Sequence, residues 1–140
     1  MSQRPTPWQS YRKVATQTAS PAQLVLMLYD GAIGFLEKSL VGFTYTDPLD
    51  FNLTINNNVL RAQAIINEMN ARLDMNQGGE IAENFRRLYQ YFYRRLHEAN
   101  TKKKREPIDE VIMRLLVLRD SWAQMLQQGQ PAADPALQAA

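Results

Sequence analysis

Apolar residues recur along most of this chain in alternating steps of three and four, the period of a helix with one buried face. Ile55, Val59, Ala62, Ile66, Met69 and Leu73 form one such stripe. Ala82, Phe85, Tyr89, Phe92, Leu96 and Ala99 form a second, and Val111, Leu115, Leu118, Trp122 and Met125 a third. Helix-start signals fall where this period requires them. Ser20 precedes Pro21, with Gln23 where a capping box wants Glu or Gln, and Asp47-Pro48 repeats the arrangement. Gly78-Gly79 breaks the chain before Glu80 and Glu83, and Pro107 is followed by Asp109 and Glu110; a helix N-terminus favours such negative charge. The spacing predicts helices over 21–43, 48–75, 80–102 and 107–127. Connections of about four residues oblige neighbouring helices to run antiparallel. The expected fold is all-α: an antiparallel up-down four-helix bundle over 20–127, a flexible N-terminal arm over 1–19 and a disordered tail over 128–140. The best strand candidate, Val41 to Tyr45, is short and has no partner.

Two helices depart from a plain bundle. The first is apolar over more than half its circumference, with only a line through Gln23, Asp30 and Glu37 left polar, so it should be the most enclosed. Gly31 and Gly34 within it each cost about 1 kcal/mol against Ala. Tight packing is the favoured explanation, and admission of a partner's backbone the other. In the second helix, the side opposite the seam carries Leu53, Asn57, Leu60, Ala64, Asn67 and Ala71, with no charge among them. Asp50, Arg61, Glu68 and Arg72 are crowded to one flank. Such a stripe is either an under-charged surface or a contact with the N-terminal arm, or else a groove for another helix. Trp8, Tyr11 and Val14 favour the groove: they are large apolar residues three apart in a stretch too polar to fold alone, and they need an apolar surface to lie against. An arm of that kind either covers the groove or clasps what enters it.

Composition narrows the chemistry. The chain has 140 residues, 45% apolar and 21% charged, as expected of one ordinary soluble domain. The absence of cysteine excludes disulfides, iron–sulfur clusters and thiolate metal sites. The single histidine, His97, reads as a surface or seam residue and supports neither a di-iron Glu-x-x-His pair nor a nucleophile–base triad. Gly78-Gly79 lacks the Lys-Ser/Thr of a phosphate loop. The longest apolar run, Leu24 to Tyr29, is far short of the roughly 20 residues that span a bilayer, and the first ten residues show no secretory h-region. A small cytosolic domain without catalytic activity, metal or cofactor is the expectation.

Charge adds a rival. Arg86, Arg87, Arg94, Arg95 and the run Lys102-Lys103-Lys104-Arg105 concentrate on the third helix and the following loop, although the whole chain carries only +2. Glu83–Arg87 and Arg94–Glu98 are spaced as i,i+4 ion pairs, so part of this face should be self-neutralised. Tyr91 and Tyr93 interleave with the arginines, an arrangement that also suits single-stranded nucleic acid. The alternative function is therefore binding of nucleic acid or an acidic protein surface through this helix.

Several runs together resemble a known family. They are Tyr11-x-x-Val14, Thr18-Ala19-Ser20-Pro21, Leu26-Met27-Leu28-Tyr29-Asp30-Gly31-Ala32-Ile33 and Leu73-Asp74 in the first half. Gly78-Gly79-Glu80-Ile81-Ala82-x-Asn84, Leu88-Tyr89, Leu96-x-x-Ala99-Asn100 and Trp122 follow. In order and spacing, from Tyr11 to Leu126, the chain is similar to the FliS family of flagellin-specific export chaperones. The Lys102–Arg105 run, the Pro-rich start and the tail after Gln128 depart from the pattern without touching these positions.

The resemblance implies a cytosolic four-helix bundle that binds the C-terminal region of flagellin and stops it polymerising. It implies delivery of the complex to the flagellar type III export apparatus, whose gate protein FlhA recognises it. The anti-sigma factor FlgM is a partner of some members; nucleic acid and membrane insertion are not implied. Tyr11 and Val14 match a family segment that lies at the binding surface. The expected flagellin-binding residues are Trp8, Tyr11, Val14, Leu53, Asn57, Leu60, Ala64, Asn67 and Ala71.

Overall fold

A computed structural model describes residues 20–129. Four helices follow one another: α1 (Pro21–Gly42), α2 (Pro48–Ala71), α3 (Gly79–Lys102) and α4 (Glu106–Gln127). Among the described residues there is no strand. Ser20 and Gln23 form the reciprocal capping box, and the Asp47 carboxylate accepts the Leu49 N–H at 2.8 Å. Neither α3 nor α4 begins with a side-chain cap; α4 instead places Glu106 and Asp109 in its first turn, against the positive end of the helix dipole.

One boundary differs from the predicted one. Helix α2 stops at Ala71, not near 75. The Asp74 carboxylate accepts the backbone N–H groups of Asn76 and Gln77, and Gly78 N–H bonds the Asp74 carbonyl at 2.7 Å. This local turn offers the backbone a hydrogen-bonded alternative to another helical turn. Leu73 keeps the apolar period but sits half-buried inside that turn.

Each helix packs against its sequence neighbours, and α1 also packs against α4, closing the ring. Three contacts fix the antiparallel sense. Asn100 near the end of α3 donates to Asn56 near the start of α2 at 2.9 Å. Arg95 of α3 meets Glu110 at the start of α4 at 2.7 Å. Trp122 at the end of α4 donates to the Ala22 carbonyl at the start of α1 at 2.6 Å. Helix α1 is the most enclosed, with ten buried residues against five each in α3 and α4, and its Gln23, Asp30 and Glu37 stay exposed. In the core, the hydroxyls of Tyr29 and Tyr89 lie 2.8 Å apart, a polar contact that joins α1 to α3 across a largely apolar interior.

Gly42 permits close packing, whereas Gly34 does not contribute to it. A Cβ on Gly42 would lie 2.9 Å from Ile55 Cγ1 and 3.1 Å from the Ile55 backbone nitrogen. One on Gly34 would meet nothing within 4 Å. The two Ala variants should therefore move stability in opposite directions. Gly42→Ala should cost about 1–3 kcal/mol by overpacking, and Gly34→Ala should gain up to about 1 kcal/mol from helix propensity. Urea midpoints of the two variants check both signs.

Candidate functional site

Helix α2 presents its seam to the core and its outer stripe to solvent. Ile55, Val59, Ala62, Ile65 and Ile66 are wholly buried. On the other side Leu53 (47% exposed), Asn57, Leu60 (51%), Ala64, Asn67 and Ala71 are all exposed. The charged flank is occupied within the bundle: the Arg61 guanidinium lies 5.8 Å from the Phe35 ring centre, and Arg72 pairs with Glu68 at 3.3 Å. Helix propensity and the buried seam thus hold a charge-free row outward along almost the whole of α2. Trp8, Tyr11 and Val14 lie outside the described residues.

The apolar row runs further than the six positions read from sequence. Leu49, one turn before Leu53, is 63% exposed, and Val41 and Tyr45 at the α1–α2 connection are exposed beside that end of the bundle. The i−4 step from Leu53 back to Leu49 was visible in the sequence. Across from Asn67 and Asn70, Tyr89, Gln90, Tyr93 and Arg94 of α3 form the opposite wall of a groove of about 290 Å³. The spacing of its walls is held from beneath by buried Gln63, whose amide donates to the Tyr93 carbonyl at 3.1 Å. A second exposed apolar patch, Met113, Leu116 and Val117 on α4, lies off the periodic α4 seam.

Much of the basic character is spent internally. Arg95 pairs with Glu110 and with Glu98 at 2.8 Å, Lys102 with Glu98 at 3.4 Å, Arg105 with Asp109 and Arg114 with Glu110. The Tyr91 hydroxyl donates to Glu110 at 2.6 Å, and that bond leads the effects that hold the Glu110 carboxyl below its ordinary range. Arg87 donates to Asn84 at 2.6 Å. The expected Glu83–Arg87 and Arg94–Glu98 pairs are therefore replaced: Glu98 turns to Arg95 and Lys102. Arg95 and Lys102 are thus met by carboxylates, whereas Arg86, Arg87 and Arg94 have no carboxylate partner among the described residues. His97 is exposed, no cluster of three potential metal ligands occurs among the described residues, and no described helix is long and apolar enough to cross a membrane. The longest uncharged exposed row described above is the one along α2 from Leu53 to Ala71.

Comparison with known proteins identifies the bundle. The family model described as "Flagellar protein FliS" matches residues 4–129. The chain belongs to the FliS family. It is 33% identical to the Flagellar secretion chaperone FliS of Bacillus subtilis over 121 residues, 86% of each chain. It is 34% identical to the protein of that name from Salmonella typhimurium over 111 residues, 79% of this chain and 80% of the relative. A Pseudomonas aeruginosa relative, Flagellar secretion chaperone FliSB, is 32% identical over 104 residues, 74% of this chain and 79% of its own.

Several of the described residues that carried the FliS resemblance are joints of the bundle. Tyr29 and Tyr89 meet in the core, Gly78 to Ala82 form the α2–α3 corner, Asn100 ties α3 to α2, and Trp122 ties α4 to α1. None of these described residues lies on the outer stripe of α2.

Proposed function

We propose that this protein is a cytosolic flagellar export chaperone that holds the C-terminal region of flagellin along the outer face of α2. The observation that carries this reading is the uncharged, exposed row from Leu53 to Ala71 in a chain of the FliS family. The row is roughly 27 Å long at 1.5 Å per residue. A segment that orders on binding gives up about 2–5 kcal/mol and recovers it by burying surface over a long path. Many shallow contacts along one helix serve that need better than a single deep pocket, and a helix laid into a groove is the fitting geometry. Occupying flagellin's polymerising segment requires no bond-making, so the role is that of a chaperone and not an enzyme. Trp8, Tyr11 and Val14 would clasp the client or cover the empty row. Handing the complex to the export gate protein FlhA, and binding of the anti-sigma factor FlgM, belong to the same proposal and draw on the family resemblance.

Gel filtration tests the assignment. The protein should co-elute with intact flagellin and not with flagellin lacking its C-terminal segment. Co-elution with both, or with neither, would contradict it.

A further inference from the structure

We propose that the groove between α2 and α3 takes acidic side chains of the client segment, with Arg86 and Arg94 as their partners. This rests on the chaperone reading and names the chemistry of the peptide that the groove accepts.

The groove adjoins the outer stripe through Asn67, and no carboxylate lines it. Arg94 forms part of its wall. The register set by Asn56–Asn100 and Gln63–Tyr93, carried seven residues further, sets Asn70 level with Arg86. Arg86 is half-buried; its Nε is shielded from solvent without a hydrogen-bond partner, and so is Asn70 Oδ1. Of the four α3 arginines, Arg87 and Arg95 are engaged by Asn84, Glu98 and Glu110, whereas Arg86 and Arg94 have no ion-pair partner among the described residues. These two cations stand four residues before and four after Gln90, Arg94 in the groove wall and Arg86 just beyond its end, level with Asn70. The cationic wall is complementary in charge to a peptide bearing carboxylates.

Spacing makes the proposal specific. Eight helical residues separate the arginines by about 12 Å. An extended client at about 3.3 Å per residue meets both with acids three or four apart, and a helical client with acids about two turns apart. A nucleic-acid strand is the poorer fit, because binding through phosphates draws on many cations and the neighbouring Arg95, Lys102 and Arg105 already pair with carboxylates.

The test titrates a fluorescent flagellin C-terminal segment into the full chain, comparing parent with R86Q, R94Q, the double variant and R94K. Each Gln variant should bind about three- to fivefold more weakly and the double variant about tenfold, with R94K close to parent. A segment whose Asp and Glu are changed to Asn and Gln should bind parent and double variant alike. Gln90→Glu, at an exposed position, provides a variant that does not depend on Arg86 folding correctly, and it should weaken binding of the acidic segment alone. Equal binding by parent and variants would overturn the proposal and leave the chaperone reading standing. A parent that fails to bind intact flagellin would overturn both. An oligonucleotide that competes with the segment and loses affinity in the same variants would assign the arginines to nucleic acid and overturn the peptide.

Discussion

Leu60→Glu is expected to weaken flagellin binding at least about a hundredfold while leaving the bundle intact. Leu60 stands in the middle of the outer stripe with half its surface exposed, and no charged residue belongs to that stripe. A carboxylate there would be desolvated against an apolar client face without a cation to receive it, a loss of about 3 kcal/mol or more. The folded chaperone scarcely notices the change, because Glu is a good helix former and exposed substitutions alter stability by about 0.5 kcal/mol or less. Ala64→Glu should act similarly by filling the space a client helix needs. Titration calorimetry with flagellin, together with thermal melts of the free variants, separates lost binding from lost folding. Retained binding in both variants would remove α2 from the interface.

The second large effect concerns the tyrosine pair. Burial pushes the Tyr29 hydroxyl up to about 12, despite the opposing hydrogen bond from Tyr89. Tyr89 is raised well above the ordinary value by burial first, and further by Tyr29. In the unfolded chain both ionise near pH 10. Between pH 10 and 12 the unfolded chain therefore holds fewer protons than the folded one, and stability falls as pH rises. For Tyr29 alone the loss reaches about 2 kcal/mol by pH 12. Tyr29→Phe leaves one buried hydroxyl partnerless and should cost about 1–3 kcal/mol at neutral pH, whereas removing both hydroxyls is close to neutral. Urea midpoints at pH 8 and pH 11 should show the Tyr29→Phe/Tyr89→Phe variant losing clearly less than the parent. Lysine titration is common to both proteins and cancels. Equal losses would mean that the pair carries no alkaline penalty.

Local chemistry explains which parts of this molecule could be read in advance. Ser20 and Asp47 cap their helices through their own side chains, and Ile55 to Met69 repeat at helical spacing, so existence, order and inward faces of the helices followed from sequence. The end of α2 did not, because Leu73 continues the apolar period while Asp74 has already turned the backbone. Inter-helix partners were equally hidden. Glu98 has Arg94 four residues before it yet pairs with Arg95, which α4 draws in through Glu110. Gly34 and Gly42 look alike in sequence, and only the approach of Ile55 distinguishes them. Of the proposed binding surface, the α2 stripe could be read because one helix carries it. The groove wall from Tyr89 to Arg94 and the α4 patch at Met113, Leu116 and Val117 depend on which faces the bundle leaves uncovered.

Methyl cross-saturation from a protonated flagellin C-terminal segment to the otherwise deuterated protein tests the central claim most directly. Signal transfer is expected at the methyl groups of Leu53, Leu60, Ala64 and Ala71, extending to Leu49. Transfer confined to Met113, Leu116 and Val117, with the α2 methyls unaffected, would place the client on α4 and contradict a binding track on α2.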